Sequence, residues 1–146
     1  MIMKTIILLN RFLTEHIDPP ERSALISIRD PGQIVDTSKW QNVLPLEFYD
    51  IEPESVQYDA LKYALNGFRI FDSDHAQTLL AFVSKIHNEI DYLFIHCEAG
   101  ISRSPAVGLF LSEKYNLPLE RHGELYIKDG LHNKHIYTIL TDTKEK

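Results

Sequence analysis

Apolar residues fall in short runs separated by polar, turn-forming clusters, and the runs alternate between strand-like and helix-like spacing. Ile6 to Leu9 reads as a short buried strand. Ala24 to Ile28 reads as a second, stopped by the turn signal Asp30-Pro31-Gly32. Asn42 to Phe48 is a weaker strand, pushed toward a sheet edge by Pro45, which has no N–H for a central ladder. Tyr92 to His96 (YLFIH) is the clearest buried strand, being short, aromatic and β-branched.

Two helical patterns separate the last two strands. Glu54 to Asn66 carries Val56, Ala60, Leu61, Ala64 and Leu65 at helical spacing and closes on Asn66-Gly67. Asp72 to Glu89 carries Ala76, Leu79, Leu80, Val83 and Ile86, with Asp72, Ser73 or Asp74 able to cap its start. After Cys97, Ser104 at N-cap and Pro105 at the first helical position predict a helix through Ala106, Val107, Leu109, Phe110 and Leu111. It ends near Asn116, before Pro118. His132 to Leu140 predicts a final helix, and Thr141 to Lys146 a polar tail. Strands alternating with helices predict a three-layer α/β/α arrangement around a central, mostly parallel sheet.

The length of 146 residues suits one domain, residues 1–146, and the 44% hydrophobic content suffices for one core. A formal net charge of −6 argues against nucleic-acid binding and against a polybasic membrane contact. No apolar run approaches the roughly 18 residues that a membrane helix needs. The apolar start is short, followed by Arg11, and lacks a small-residue cleavage site, so it reads as a strand and not as a signal peptide. The single cysteine, Cys97, cannot form an internal disulfide, which fits a reducing, cytoplasmic address. Taken alone, such a cysteine would be a small buried hydrophobe.

Its neighbours change that. The stretch His96-Cys97-Glu98-Ala99-Gly100-Ile101-Ser102-Arg103-Ser104-Pro105 places a short loop between a buried strand and a helix start. Ligands of α/β sheets sit at such carboxyl ends. The first amides of a helix lack intrahelical partners and carry the positive end of its dipole. A loop of small residues can add its own amides to make a phosphate-sized nest, with Gly100 permitting the turn. Arg103 offers a planar fork matched to two phosphate oxygens. The same field favours the thiolate of Cys97, placed to attack phosphorus, and Ser104 can donate a hydrogen bond to the sulfur.

Cys, five residues, Arg, then Ser, preceded by His, resembles the signature of the protein tyrosine and dual-specificity phosphatases. HCEAGISRS is similar to the dual-specificity form nearly letter for letter. ALISIRDPG resembles an early strand and turn of small microbial and phage members, FDSDHAQTLLAFV the helix before the catalytic strand, and HNKHIYTIL the closing helix. The resemblance implies a phosphatase fold with Cys97 as nucleophile and Arg103 as clamp for substrate and transition state. It implies that the amides of Glu98, Ala99, Gly100, Ile101, Ser102 and Arg103 bind the phosphoryl oxygens. Ser104 would assist hydrolysis of the phosphocysteine, and His96 would order the loop. No metal or organic cofactor is implied.

The resemblance also implies an Asp on a separate loop that protonates the leaving oxygen and then activates water. Asp50, in LEFYDI, follows the Asn42 to Phe48 strand and fits that topology. Asp72 and Asp74 are alternatives whose simpler role is helix capping. The stretch 52–70 is longer than the compact connection of many small family members, which loosens the alignment of Asp50.

The implied substrate is a phosphorylated protein or peptide, most directly phosphotyrosine, with phosphoserine and phosphothreonine admitted by a shallow site. Inorganic phosphate or sulfate would occupy the same loop. Rival readings are a phosphoinositide or RNA 5′-phosphate substrate, which the acidic chain and a loop without Lys disfavour. A phosphate-binding pseudophosphatase is another, disfavoured by intact Cys97, Arg103 and Ser104. An arsenate reductase would need further cysteines. Glu98 reads as a solvated loop residue, His122, His132 and His135 as surface histidines and not a metal site, and Trp40 and the tyrosines as packing.

Overall fold

The computed structural model describes residues 3–53 and 69–145. Its strands are β1 (Thr5–Leu9), β2 (Ser23–Arg29), β3 (Val43–Glu47), β4 (Tyr92–His96), β5 (Leu119–Arg121) and β6 (Glu124–Leu125). The helices described are α1 (Arg11–His16), α2 (Ser73–Ile86), α3 (Arg103–Tyr115) and α4 (Lys134–Asp142). The helix expected over Glu54 to Asn66 lies outside the described residues.

The strands form one six-stranded sheet in the order β3-β2-β4-β1-β5-β6. All pairs are parallel except β5 with β6. β3 takes the edge that Pro45 predicts. β4 sits inside, between β2 and β1, which is why YLFIH is apolar on both faces.

Side-chain alternation divides the core. Ile6, Leu8, Ala24, Ile26, Ile28, Leu93 and Ile95 point to the face covered by α2, α3 and α4. Leu9, Leu25 and Phe94 point to the other face, where Trp40 and Leu13 of α1 cover them. Helices therefore pack on both faces, in the layered arrangement expected, but the second face is covered by one short helix and a loop. Trp40 is anchored there by its ring N–H, which donates to the carbonyl of Thr14 at 3.0 Å.

The same parity places the chemistry. Cys97 continues the alternation of Leu93 and Ile95 and belongs to the α3 side. His96 falls on the opposite face, paired in register with Ser27 of β2. β1, β2, β3 and β4 all run parallel, so the segments after each of them emerge at one edge. Those segments bring Asn10, Asp30, Asp50 and Cys97 to the carboxyl end of the sheet.

One helix start differs from the expectation. The cap of α3 is Ser102, not Ser104, and the helix begins at Arg103, with Ser104 second and Pro105 third. Pro105 remains in the first turn, where its missing N–H leaves no bond unmade. The histidine expectation also needs correcting: His132 and His135 are buried, and His135 Nε2 bonds the carbonyl of Phe71 at 2.7 Å. Among the described residues, no helix is long and apolar enough to cross a membrane.

Candidate active site

Cys97 ends β4's alternation and is 3% exposed. Its Sγ lies 3.2 Å from Ser104 Oγ and 3.5 Å from the Ser104 amide, which donates to it. Ser104, the second residue of α3, thus points both its hydroxyl and its backbone N–H at the sulfur. Starting α3 two residues earlier than the sequence suggests is what aims this first-turn amide at Cys97.

Between them the chain turns through Gly100, whose φ of +74° favours glycine. A Cβ there would also come within 3.2 Å of the Leu9 carbonyl oxygen. The loop is held from outside. Arg11 N donates to Glu98 O at 3.1 Å, Arg121 Nη1 to Gly100 O at 3.2 Å, and Asn133 N to Ser102 O at 3.0 Å. These bonds use loop carbonyls. Among the described residues, the amides of Glu98, Ala99, Gly100, Ile101, Ser102 and Arg103 donate to no protein acceptor. A run of unpaired donors leading into a helix N-terminus is the electrostatic profile of an anion nest.

Arg103 is 5% exposed, and its Nη1 donates to Asp30 Oδ1 at 2.8 Å and to Phe48 O at 2.8 Å. Both anchors lie on one nitrogen. Nε and Nη2 donate to no protein group among the described residues, so one edge of the fork remains for a planar oxyanion.

His96 supports the loop from the opposite face. Its Nδ1 donates to the Cys97 carbonyl at 2.9 Å. Ser27 Oγ lies 2.6 Å from Nε2 and itself accepts from Arg29 Nη2 at 2.9 Å. A neutral ring protonated at Nδ1 satisfies every partner, with Ser27 donating to Nε2. Burial pushes the imidazole below its ordinary pKa, with the Arg29 charge adding to that and the bond to Cys97 O opposing it.

Asp50 reaches the same site. Its Oδ1 accepts from Ser102 Oγ at 2.8 Å and from Asn133 Nδ2 at 2.8 Å. Asp72 does not: its carboxylate caps α2 by accepting from His75 N at 3.0 Å, and Asp74 lies in that helix's first turn. Glu98 is exposed, as expected, and accepts from Gln33 Nε2 at 2.7 Å.

The structure therefore gathers His96, Cys97, Arg103, Ser104 and Asp50, and adds Asp30, Ser27 and Asn133, which sequence reasoning missed. Asp30 was visible only as a turn residue and Asn133 only as part of a helix start. Among the described residues, no three His, Cys, Asp or Glu side chains group to hold a metal. No family model, curated protein or solved structure matches this chain.

Proposed function

We propose that this protein is a cysteine-dependent phosphatase of the protein tyrosine and dual-specificity type, hydrolysing phosphate monoesters through a phosphocysteine. The observation that carries the reading is the approach of Ser104 Oγ and N to Cys97 Sγ at the start of α3, with Arg103 anchored alongside.

In the first step the Cys97 thiolate attacks phosphorus, the P–O ester bond breaks, and Asp50 gives its proton to the leaving oxygen. Developing negative charge on the equatorial oxygens meets the loop amides and the open edge of Arg103. In the second step Asp50, now a carboxylate, takes a proton from water. That water attacks phosphorus, and the S–P bond breaks. Once sulfur leaves as thiolate it can only accept, so the Ser104 hydroxyl donates to it alongside the Ser104 amide, and Ser104 stabilises the leaving group.

The substrate is a phosphorylated protein or peptide, foremost phosphotyrosine, with phosphoserine and phosphothreonine as the dual-specificity extension. Inorganic phosphate and sulfate compete for the loop. A reducing cytoplasm keeps Cys97 as a thiol. Steady-state kinetics on phosphotyrosyl, phosphoseryl and phosphothreonyl peptides, a phosphoinositide head group and a 5′-phosphorylated RNA test this, with Cys97→Ser as control. Turnover of the phosphotyrosyl peptide above the others is expected. Preference for the head group or the RNA would replace the protein substrate, and no turnover of any would overturn the enzyme reading.

A further inference from the structure

Asn133 is fully buried at the start of α4, and every polar atom of its side chain is engaged. Oδ1 accepts from Ile136 N at 3.0 Å, the ordinary task of an N-cap. Nδ2 donates to Asp50 Oδ1 at 2.8 Å and to Ile51 O at 3.2 Å. Its backbone N–H donates to Ser102 O at 3.0 Å. The amide orientation is fixed by this set, since both partners of Nδ2 are acceptors and the partner of Oδ1 is a donor.

Capping alone does not need these two donors, because Ser, Thr and Asp cap equally well with an oxygen. Asn differs from them by its N–H groups, and both are spent on residues 50 and 51. A buried amide thus joins the loop after β3, the loop after β4 and the first turn of α4. Ser102 adds a second donor to the same carboxylate oxygen, at 2.8 Å. It does so at the expense of its own cap, making no side-chain bond to α3.

We propose that Asn133 is a positioning residue for the acid: with Ser102 it holds Asp50 Oδ1 as an acceptor, which confines the transferable proton to Oδ2. A carboxyl oxygen has two lone pairs in its plane, and here both face donors. Protonation of Oδ1 would cost one of those bonds, whereas Oδ2 accepts from no group among the described residues. The protonated acid therefore presents one defined O–H, and the aspartate formed after transfer keeps both supporting bonds. The inference rests on the proposed acid role of Asp50.

Asn133→Ser retains an N-cap oxygen and removes both donors. Ser102→Ala removes the other bond to Oδ1 and leaves the α4 cap intact. Each would be assayed for kcat on phenyl phosphate, whose leaving group needs a proton, and on 2,4-dinitrophenyl phosphate, whose leaving group does not. Inhibition by inorganic phosphate and thermal unfolding are measured alongside. For each variant the expected fall on phenyl phosphate is about 10-fold or more, a part of what a whole general acid supplies. In Asn133→Ser, dinitrophenyl phosphate and phosphate inhibition should change by less than about threefold, because neither requires the proton; in Ser102→Ala, a loop residue, the fall on phenyl phosphate should exceed any fall on dinitrophenyl phosphate. Asn133→Asp keeps the cap oxygen but replaces the donor facing Asp50 Oδ1 with a second acceptor, so it should show the same selective fall on phenyl phosphate. Equal slowing on both esters, or no slowing on either, would overturn the positioning role while leaving Asp50 as acid. If Asp50→Asn itself showed no leaving-group dependence, the acid assignment would fall and this inference with it.

Discussion

Arg103 Nη1 donates to Asp30 Oδ1 at 2.8 Å, tying the arginine at the start of α3 to the turn after β2. The bond spans 73 positions and joins a guanidinium that is nearly buried to a carboxylate that is half exposed. With the Phe48 carbonyl on the same nitrogen, it fixes the plane of the fork before any anion arrives. Lysine cannot reproduce that arrangement, because its ammonium is a point charge without a planar fork. Arg103→Lys is expected to lower kcat/KM by about 10²–10³-fold, comparable to losing one oxyanion donor, and to weaken phosphate inhibition. Kinetics near wild type in Arg103→Lys would show that charge alone suffices.

Asp50 and the two α2 carboxylates make a second comparison. Asp50→Asn should slow phenyl phosphate by about 10²-fold or more and dinitrophenyl phosphate much less. The alkaline limb of its kcat profile should flatten. Asp72→Asn should leave the leaving-group dependence intact and lower stability by about 0.5–2 kcal/mol at most, since its carboxylate serves the α2 cap. Asp74→Asn should also leave it intact. Turnover of the three variants on both esters decides it. A leaving-group effect in Asp72→Asn or Asp74→Asn, and none in Asp50→Asn, would move the acid to α2.

Much of this frame was legible in the sequence, for identifiable reasons. β1, β2 and β4 are buried strands and read as apolar runs; β3 read as an edge because of Pro45. The helices α2, α3 and α4 each carry apolar residues over two or more turns. The helix α1, six residues long, is too short to show a period, and its cap, Asn10, which accepts from Leu13 N, went unread. The strands β5 and β6, three and two residues long and rich in charge, show no alternation. Cys97, Arg103 and Ser104 were legible because their relationship is local. Asp30, Ser27 and Asn133 were not, because their partners come from other elements, through sheet register or loop packing.

Stability should follow the protonation of His96. The folded chain holds this buried imidazole neutral, with its pKa depressed chiefly by burial, while the unfolded chain titrates near about 6.5. Below that value the unfolded chain binds more protons. The contribution is therefore fully present above about pH 6.5 and lost as the pH falls toward the depressed folded value. Denaturant midpoints should drop between about pH 7.5 and pH 5.5, and His96→Gln should show a shallower drop. The drop should not vanish, because burial and two lysines depress His132 as well. An unchanged slope in His96→Gln would contradict a buried neutral His96.

The glycine of the loop gives a structural test. Gly100→Ala places a Cβ at φ +74° and against the Leu9 carbonyl, so it should cost about 1–2 kcal/mol in stability. Phosphate protection of Cys97 from alkylation should weaken with it. Wild-type stability together with full phosphate protection would contradict the loop geometry.

The proposed reaction passes through a covalent phosphocysteine on Cys97. The most direct measurement is acid quench of the protein during turnover of a phosphotyrosyl peptide, followed by peptide mass spectrometry. One phosphoryl group is expected on the peptide containing Cys97 in the wild type, and none in Cys97→Ser, which should still bind inorganic phosphate. Phosphate release by purified Cys97→Ser at a rate near wild type, with no phosphorylated Cys97 in the wild type, would contradict it.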